Sequence, residues 1–196
     1  MLQIQALSNP MIAQIYERHM QKDFPASELK SLSHMLDLIA QGIYKGYGLF
    51  EDETLCAYAF LTHAPSNPIL LLDYLAVCAH LRNRHYGSQF LTLLNDHFAQ
   101  EAGILIEIES IASASHPLET ELRTKRLLFY KRNGAIETQV VSNCFGVEFS
   151  ILYLGTKQNY SQETVAQDLD AIYKAIFSPH HYQTQVQFIS PQLAKS

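Results

Sequence analysis

The period of the apolar positions changes several times along the chain, and each change marks an element. "QIQAL" alternates as a strand does, and in "SNPMIAQIYERHM" Met11, Ile12, Ile15 and Tyr16 share one helical stripe, with Asn9 placed to cap and Pro10 at the first helical position. After "KDFP", Leu29, Leu32, Leu36 and Ile39 recur at helical spacing, which predicts a second helix capped by Ser27 and ended by Gly42. "YGLF", the acidic turn "EDE" and "TLCAYAFLTHA" predict a hairpin, and beyond "PSNP" the apolar run "ILLLDYLAV" predicts a further, buried strand.

A helix over about residues 87–102 and a strand over residues 104–110 follow. A strand, a crossover helix and a second strand predict a right-handed parallel unit, so the fold class is α/β, with ligands expected at the carboxyl ends of the strands. A helix over residues 119–132 stops at "NGA", where Gly134 suits a left-handed capping position, and "IETQVVS" and "EFSILYL" predict two last strands joined by "NCFG". Beyond this domain of residues 1–157 lies an extension, 158–196. In it Ser161 can cap a helix whose Val165, Leu169, Ile172 and Ile176 form one apolar stripe, ended by Pro179. That stripe must be buried, on the domain or on a second subunit, and "TQVQFIS" after it can add an edge strand.

Composition narrows the function classes. A chain of 196 residues with 47% hydrophobic content can bury a real core, and a formal net charge of −5 lacks the basic footprint of a general nucleic-acid binder. Any anion site must be local. Three separated cysteines without CxxC spacing read as free thiols, and the histidines, His180 and His181 included, lack metal-ligand spacing, so no metal is expected. The N-terminal residues show no basic region followed by an apolar segment, and no apolar run approaches membrane-spanning length, so a cytoplasmic location is expected.

The candidate chemistry lies in "YLAVCAHLRNRHYGSQFLTLL", residues 74–94. A strand that ends at Val77 and re-enters a helix near Gly87 leaves unpaired N–H groups at a helix start, where the dipole favours negative charge. Gly87 admits close approach to the backbone, and Arg82 and Arg84 add charge suited to a diphosphate. An ordinary strand-to-helix turn with solvated arginines would use the same residues, so the loop alone leaves both readings open.

Three segments in order carry a resemblance. "LRNRHYGSQFL" resembles motif A of the GNAT N-acetyltransferases, with Arg82 in the first position, His85 where the family has its first glycine and Gly87 as the second. "YLAV" resembles the family's fourth strand, and "FYKRNGA" its motif B ending, with Tyr130 in the tyrosine position. The likeness covers about residues 2–154. It implies a mixed central sheet with splayed parallel strands, flanked by helices, here with a C-terminal helical extension. It also implies acetyl-CoA as co-substrate, its pantetheine arm along Leu75, Ala76 and Val77 and its pyrophosphate in the loop of Arg82, Asn83, Arg84, His85, Tyr86, Gly87 and Ser88. A homodimer is implied by the same likeness. Where the family often has Asn and Ala on the motif B helix this chain has Arg123 and Arg126, and Arg123 is a candidate replacement for the asparagine's cofactor contact.

The implied chemistry is transfer of the acetyl group to a primary amine in a ternary complex, the rate coming from positioning and oxyanion stabilisation. The resemblance makes the Leu75 amide the donor to the thioester carbonyl and Tyr130 the acid that protonates the thiolate. Asp73 lies on the same face as Leu75 and Val77 by strand alternation and is the candidate base, unless it pairs with a basic side chain. "IEIES" offers Glu107 and Glu109, which must meet cations such as Arg123 and Arg126 or line a polar cleft. Phe24, Glu28, Tyr47 and Glu107 are candidates for the acceptor, a small amine or a peptide. An acyl-CoA-binding regulatory module with little catalysis is the alternative, and nucleic acid and membrane are not expected partners.

Overall fold

A computed structural model describes residues 1–26, 28–65, 67–155 and 160–189. Ser27, proposed above as a helix cap, lies outside the described residues. In chain order the elements are β1 (Leu2–Ala6), α1 (Asn9–Ile15), a π-helical segment (Tyr16–Met20), α2 (Gln21–Asp23), α3 (Leu32–Ala40), β2 (Tyr44–Glu51), β3 (Thr54–Thr62), β4 (Ile69–Val77), a 3-10 turn (Ala79–Leu81), α4 (Tyr86–His97), β5 (Gly103–Glu109), a second 3-10 turn (Ile111–Ser113), α5 (Pro117–Arg132), β6 (Ile136–Cys144), β7 (Val147–Leu154), α6 (Gln162–Ile176), α7 (Pro179–Gln185) and β8 (Val186–Phe188). The strands form one mixed sheet in the order β1-β2-β3-β4-β5-β7-β6-β8, with β4 and β5 parallel. The chain divides into two compact units, Met1–Pro65 with Leu72–His97, and Ser66–Leu71 with Phe98–Ser196.

In the first unit β1, β2 and β3 form an antiparallel meander, and Asp52 takes a left-handed φ of 55° at the β2–β3 turn. The helices cover one face. Ile12, Ile15, Met20, Met35 and Leu38 pack on Tyr44, Tyr58, Phe60 and Tyr74 in a single buried cluster. Each such side chain contributes roughly 1.5–3 kcal/mol on leaving water. Gly46 and Gly48 on β2 lie beneath that cluster: a Cβ at Gly46 would stand 2.7 Å from the Phe60 ring, and one at Gly48 2.5 Å from the Phe50 ring.

Two helix starts differ from the sequence reading. Ser8, not Asn9, is the cap of α1, its extended backbone (ψ 158°) leaving the carbonyl to accept from Ile12 N–H. The second predicted helix begins only at Leu32, because Ser31 takes an extended backbone and its hydroxyl accepts from His34 N–H; Leu29 therefore precedes the helix. The helix expected to run to residue 102 stops at His97, and Glu101 N–H turns back onto the Phe98 carbonyl.

In the second unit β5, β7 and β6 are antiparallel neighbours, and β8 adds to β6, as "TQVQFIS" predicted. The β6–β7 hairpin closes on Phe145 and Gly146 at φ 52° and 82°, two successive left-handed residues matching the twist of the flanking strands. Ser161 caps α6, and Val165, Leu169, Ile172 and Ile176 are all buried. The helix ends at Ile176 with Phe177 as its C-cap, and Ser178 at once caps the short α7, with Pro179 opening it rather than merely stopping its predecessor.

Candidate active site

The loop after β4 is built to turn a strand into a helix with its first amides facing outward along the helix axis. Cys78 N–H bonds the Cys56 carbonyl at 2.9 Å, which holds the chain on β3 for one residue beyond the strand, and Leu81 N–H closes the 3-10 turn on Cys78 at 2.8 Å. Asn83 and His85 then take φ of 63° and 65°. The first α-helical bond of α4 runs from Gln89 N–H to the His85 carbonyl at 3.0 Å, so the amides of Tyr86, Gly87 and Ser88 precede it. Three helix-start N–H groups and the helix dipole are the chemistry suited to an anion.

The left-handed backbone accounts for the unusual histidine. His85 stands at the position where motif A has glycine, and a φ of 65° is the conformation that glycine adopts freely. Asn and His are among the few side chains that visit this region. The His85 side chain is exposed, as are those of Asn83 and Arg84.

Arg82 anchors the loop. Its guanidinium bonds the Asp23 carboxylate at 2.6 Å and the Val77 carbonyl at 3.3 Å, while Tyr58 donates to the other Asp23 oxygen at 2.8 Å. Burial, reinforced by the Asp23 carboxylate, drives the Tyr58 phenol far above its usual range, so it remains a donor. The same network adjoins Cys78, whose thiol burial pushes up to about 11. Tyr86 is tied to Glu51 at 2.7 Å, which raises its phenol to about 12.

Asp73 is held from two sides. Lys30 Nζ lies 2.9 Å from each carboxylate oxygen, and the Tyr44 hydroxyl donates to Oδ2. Lys30 and Asp73 are 15% and 12% exposed, which makes this a largely desolvated pair. Burial, then the negative charge of Asp73, drives the Tyr44 phenol well above its usual range. Lys30 Nζ also sits 5.4 Å from the Tyr74 ring centroid. Asp73 and Tyr74 are consecutive on β4, and the Lys30 ammonium reaches both.

Tyr74 pins the segment between α2 and α3. Its hydroxyl donates to the Glu28 carbonyl at 2.7 Å and accepts from Lys30 N–H at 3.0 Å, and the Phe24 ring stands edge-on to it at 4.8 Å. Burial, then the Asp73 charge, raises the phenol to about 12. Phe24 and Glu28 therefore belong to one cluster. Tyr47 packs edge-on against His97 of α4 at 5.0 Å.

In the second unit Tyr130 is buried on α5 against Phe129, 5.1 Å between ring centroids, and burial raises its phenol to about 12 with Arg126 pulling the other way. Its carbonyl closes the helix end by accepting from Asn133 and Ala135, and Gly134 takes the left-handed φ of 92° predicted for it. Arg123 bonds the Ser110 carbonyl at 2.7 Å and the Ser113 hydroxyl at 3.1 Å, and pairs with Glu109 and Glu119. Arg126 meets Glu109 at 2.8 Å, so Glu109 has the cationic partners the sequence suggested. Glu107 accepts from Tyr173 of α6, and the Tyr173 oxygen is 2.9 Å from the Ser142 hydroxyl.

Lys30, Tyr44 and Tyr173 escaped sequence reading. No periodicity links them to β4 or β5, because each arrives from a distant element. Among the described residues no group of three or more His, Cys, Asp or Glu side chains is gathered as a metal site, and no helix is long and apolar enough to cross a membrane.

No protein-family model matches the chain, and no curated protein matches it in sequence. Solved structures do. A protein from Bacteroides thetaiotaomicron assigned to the GNAT acetyltransferase family superposes with a TM-score of 0.68 at 17% identity, over 89% of this chain and 98% of that one. The ribosomal-protein-S18-alanine N-acetyltransferase from Escherichia coli gives 0.56 at 16% identity, over 82% and 99%. Spermidine N-acetyltransferase from Vibrio cholerae, solved with CoA and spermine, gives 0.59 at 10% identity, over 78% and 94%. The chain has the GNAT acetyltransferase fold.

Proposed function

We propose that this chain is an N-acetyltransferase that moves the acetyl group of acetyl-CoA to a primary amine by direct attack in a ternary complex. The observation that carries the reading is the loop between β4 and α4: left-handed Asn83 and His85 deliver three helix-start amides after a strand that the GNAT fold uses as its fourth. The Tyr86, Gly87 and Ser88 amides hold the pyrophosphate, with Arg84 at the rim. Arg82 remains a candidate for the phosphates, its guanidinium also tying the loop to Asp23.

The backbone of Leu75, Ala76 and Val77 takes the pantetheine arm as an added strand, and the Leu75 amide stabilises the oxyanion. A carboxylate or a water it holds takes the amine's proton, with Asp73 and Glu107 as the candidates. Tyr130 returns a proton to the thiolate. Its burial-raised phenol, at about 12, supports that role because it stays protonated at neutral pH. Arg123 is a candidate for a cofactor contact, and it also ties α5 to the turn after β5.

The acceptor is a primary amine, either a small amine or a peptide N-terminus, with Phe24, Glu28, Tyr47 and Glu107 as the candidates to meet it. Residues 158–196 are a helical extension of the domain, the protein acts in the cytoplasm, and it works as a homodimer. One observation favours the second reading, an acyl-CoA-binding regulatory module: the Asp73 carboxylate is already held by Lys30.

Isothermal titration with acetyl-CoA, followed by free-thiol release against polyamines, amino acids, aminoglycosides and peptides, tests both. Binding with amine-dependent release supports the enzyme. Binding without release over the whole panel supports the regulatory module, and no binding removes both.

A further inference from the structure

We propose that Lys30 is itself an acetyl acceptor, so that the chain modifies its own side chain. The inference rests on the acetyl-CoA reading above and adds one residue to it. The amine of Lys30 is held 2.9 Å from both oxygens of Asp73, the carboxylate nominated as base for an incoming amine. Asp73 lies two residues before Leu75 on β4, and two residues of strand span about 6.5 Å. An amine gripped at Asp73 is thus anchored two strand positions from the residue whose amide is proposed to receive the thioester carbonyl.

Position is fixed as well as proximity. The Lys30 backbone N–H is bonded to Tyr74, the Tyr74 hydroxyl also holds the Glu28 carbonyl, and the Lys30 ammonium lies over the Tyr74 ring. An ordered nucleophile beside a proton acceptor is the arrangement that turns a bimolecular aminolysis into an effectively unimolecular one.

The step balances with the components named. Asp73 takes one proton from the Lys30 ammonium, and the freed lone pair attacks the thioester carbon. The tetrahedral intermediate loses its C–S bond, the thiolate leaves and is protonated, and the nitrogen sheds its second proton to solvent. The products are an acetamide at Lys30, free CoA thiol and one proton. The neutral acetamide can no longer pair with Asp73, whose remaining bond is to Tyr44.

Selectivity separates this reaction from chemical acetylation by a free thioester. Lys125, Lys131 and Lys174 are 66%, 47% and 57% exposed, against 15% for Lys30, so uncatalysed modification favours those three. The test is incubation of the full chain with isotope-labelled acetyl-CoA, read by intact mass and peptide mapping, beside calorimetry with the same cofactor. One label at Lys30, appearing ahead of label at the exposed lysines and at a rate independent of protein concentration, is expected. Lys30→Arg keeps the ion pair and should abolish that label, and Asp73→Asn should slow it by about 100-fold.

Label that spares Lys30 in protein that binds acetyl-CoA overturns the inference and leaves the proposed function standing. Equal labelling in Lys30→Arg, or an unchanged rate in a folded Asp73→Asn protein, also overturns it. Failure of calorimetric binding overturns the acetyl-CoA reading and this inference together.

Discussion

Lys30 and Asp73, 43 residues apart in sequence, meet with Nζ 2.9 Å from both carboxylate oxygens. This contact joins the segment after α2 to β4 at the point where the strand begins its candidate catalytic stretch. The pair is mostly withdrawn from water, so its two charges depend on each other. Removing one leaves the other desolvated without its opposite charge.

Lys30→Met should therefore destabilise the protein by about 2–4 kcal/mol, read as a lower urea midpoint. Asp73→Asn should cost less, because the amide can still accept from Tyr44. The double variant Lys30→Met with Asp73→Leu should recover part of the loss. A double variant as unstable as the sum of the singles would mean the pair is not energetically coupled.

His85→Gly should leave acetyl-CoA affinity intact and change stability by less than about 1 kcal/mol, because relief of the left-handed strain is offset by greater unfolded-chain entropy. His85→Val, β-branched at a φ of 65°, should lose roughly 1–2 kcal/mol and bind acetyl-CoA more weakly. Thermal melts and calorimetric titration of the two variants side by side decide it. Equal behaviour of Gly and Val would mean that the loop has another conformation in solution.

Local chemistry made much of this legible. The apolar run of β4 was read to its ends, the left-handed Gly134 followed from "NGA", and the α6 stripe and the β8 edge strand from periodicity. What failed was decided at a distance. The late start of α3 follows from where Tyr74 captures the Glu28 and Lys30 backbone, and the Asp73 partner comes from that same captured segment. Alternation along β4 assigned Asp73 a face but could not foresee an ammonium shared with Tyr74. No sequence pattern singles out Tyr44 and Tyr173, because a buried phenol and a buried phenylalanine leave the same apolar pattern. Only the contacts show the hydroxyls donating to carboxylates.

Tyr130→Phe should lower turnover by about 10²-fold or more with little change in acetyl-CoA affinity, if the phenol protonates the thiolate. The pH dependence has a definite sign. A phenol at about 12 in the folded protein stays protonated through the neutral and mildly alkaline range, so Tyr130 should impose no alkaline loss of turnover below about pH 10. Its stabilising neutral form is fully present below the ordinary tyrosine value near 10 and is lost as pH rises through about 12. Thermal melts from pH 8 to 11.5 should accordingly fall less steeply for Tyr130→Phe than for the wild type. Unchanged turnover in the variant would return Tyr130 to a packing role.

The C-terminal helix is expected to be inseparable from the second unit. Val165, Leu169, Ile172 and Ile176 are buried, and the hydroxyl of Tyr173, a residue 1% exposed, reaches Glu107 on β5 and Ser142 on β6. Burial, then the Glu107 charge, holds the phenol far above its usual range, so it remains a donor at neutral pH. Tyr173→Phe should cost about 1–3 kcal/mol, since a buried Ser142 hydroxyl and a carboxylate each lose a partner. Removal of residues 158–196 should be far worse, exposing an apolar face whose side chains each contribute roughly 1.5–3 kcal/mol, and the truncated chain should aggregate. Sedimentation of the full and truncated chains reads the outcome. A truncated chain that stays folded as a monomer, from a full chain that is a dimer, would move the stripe's main role to the subunit contact.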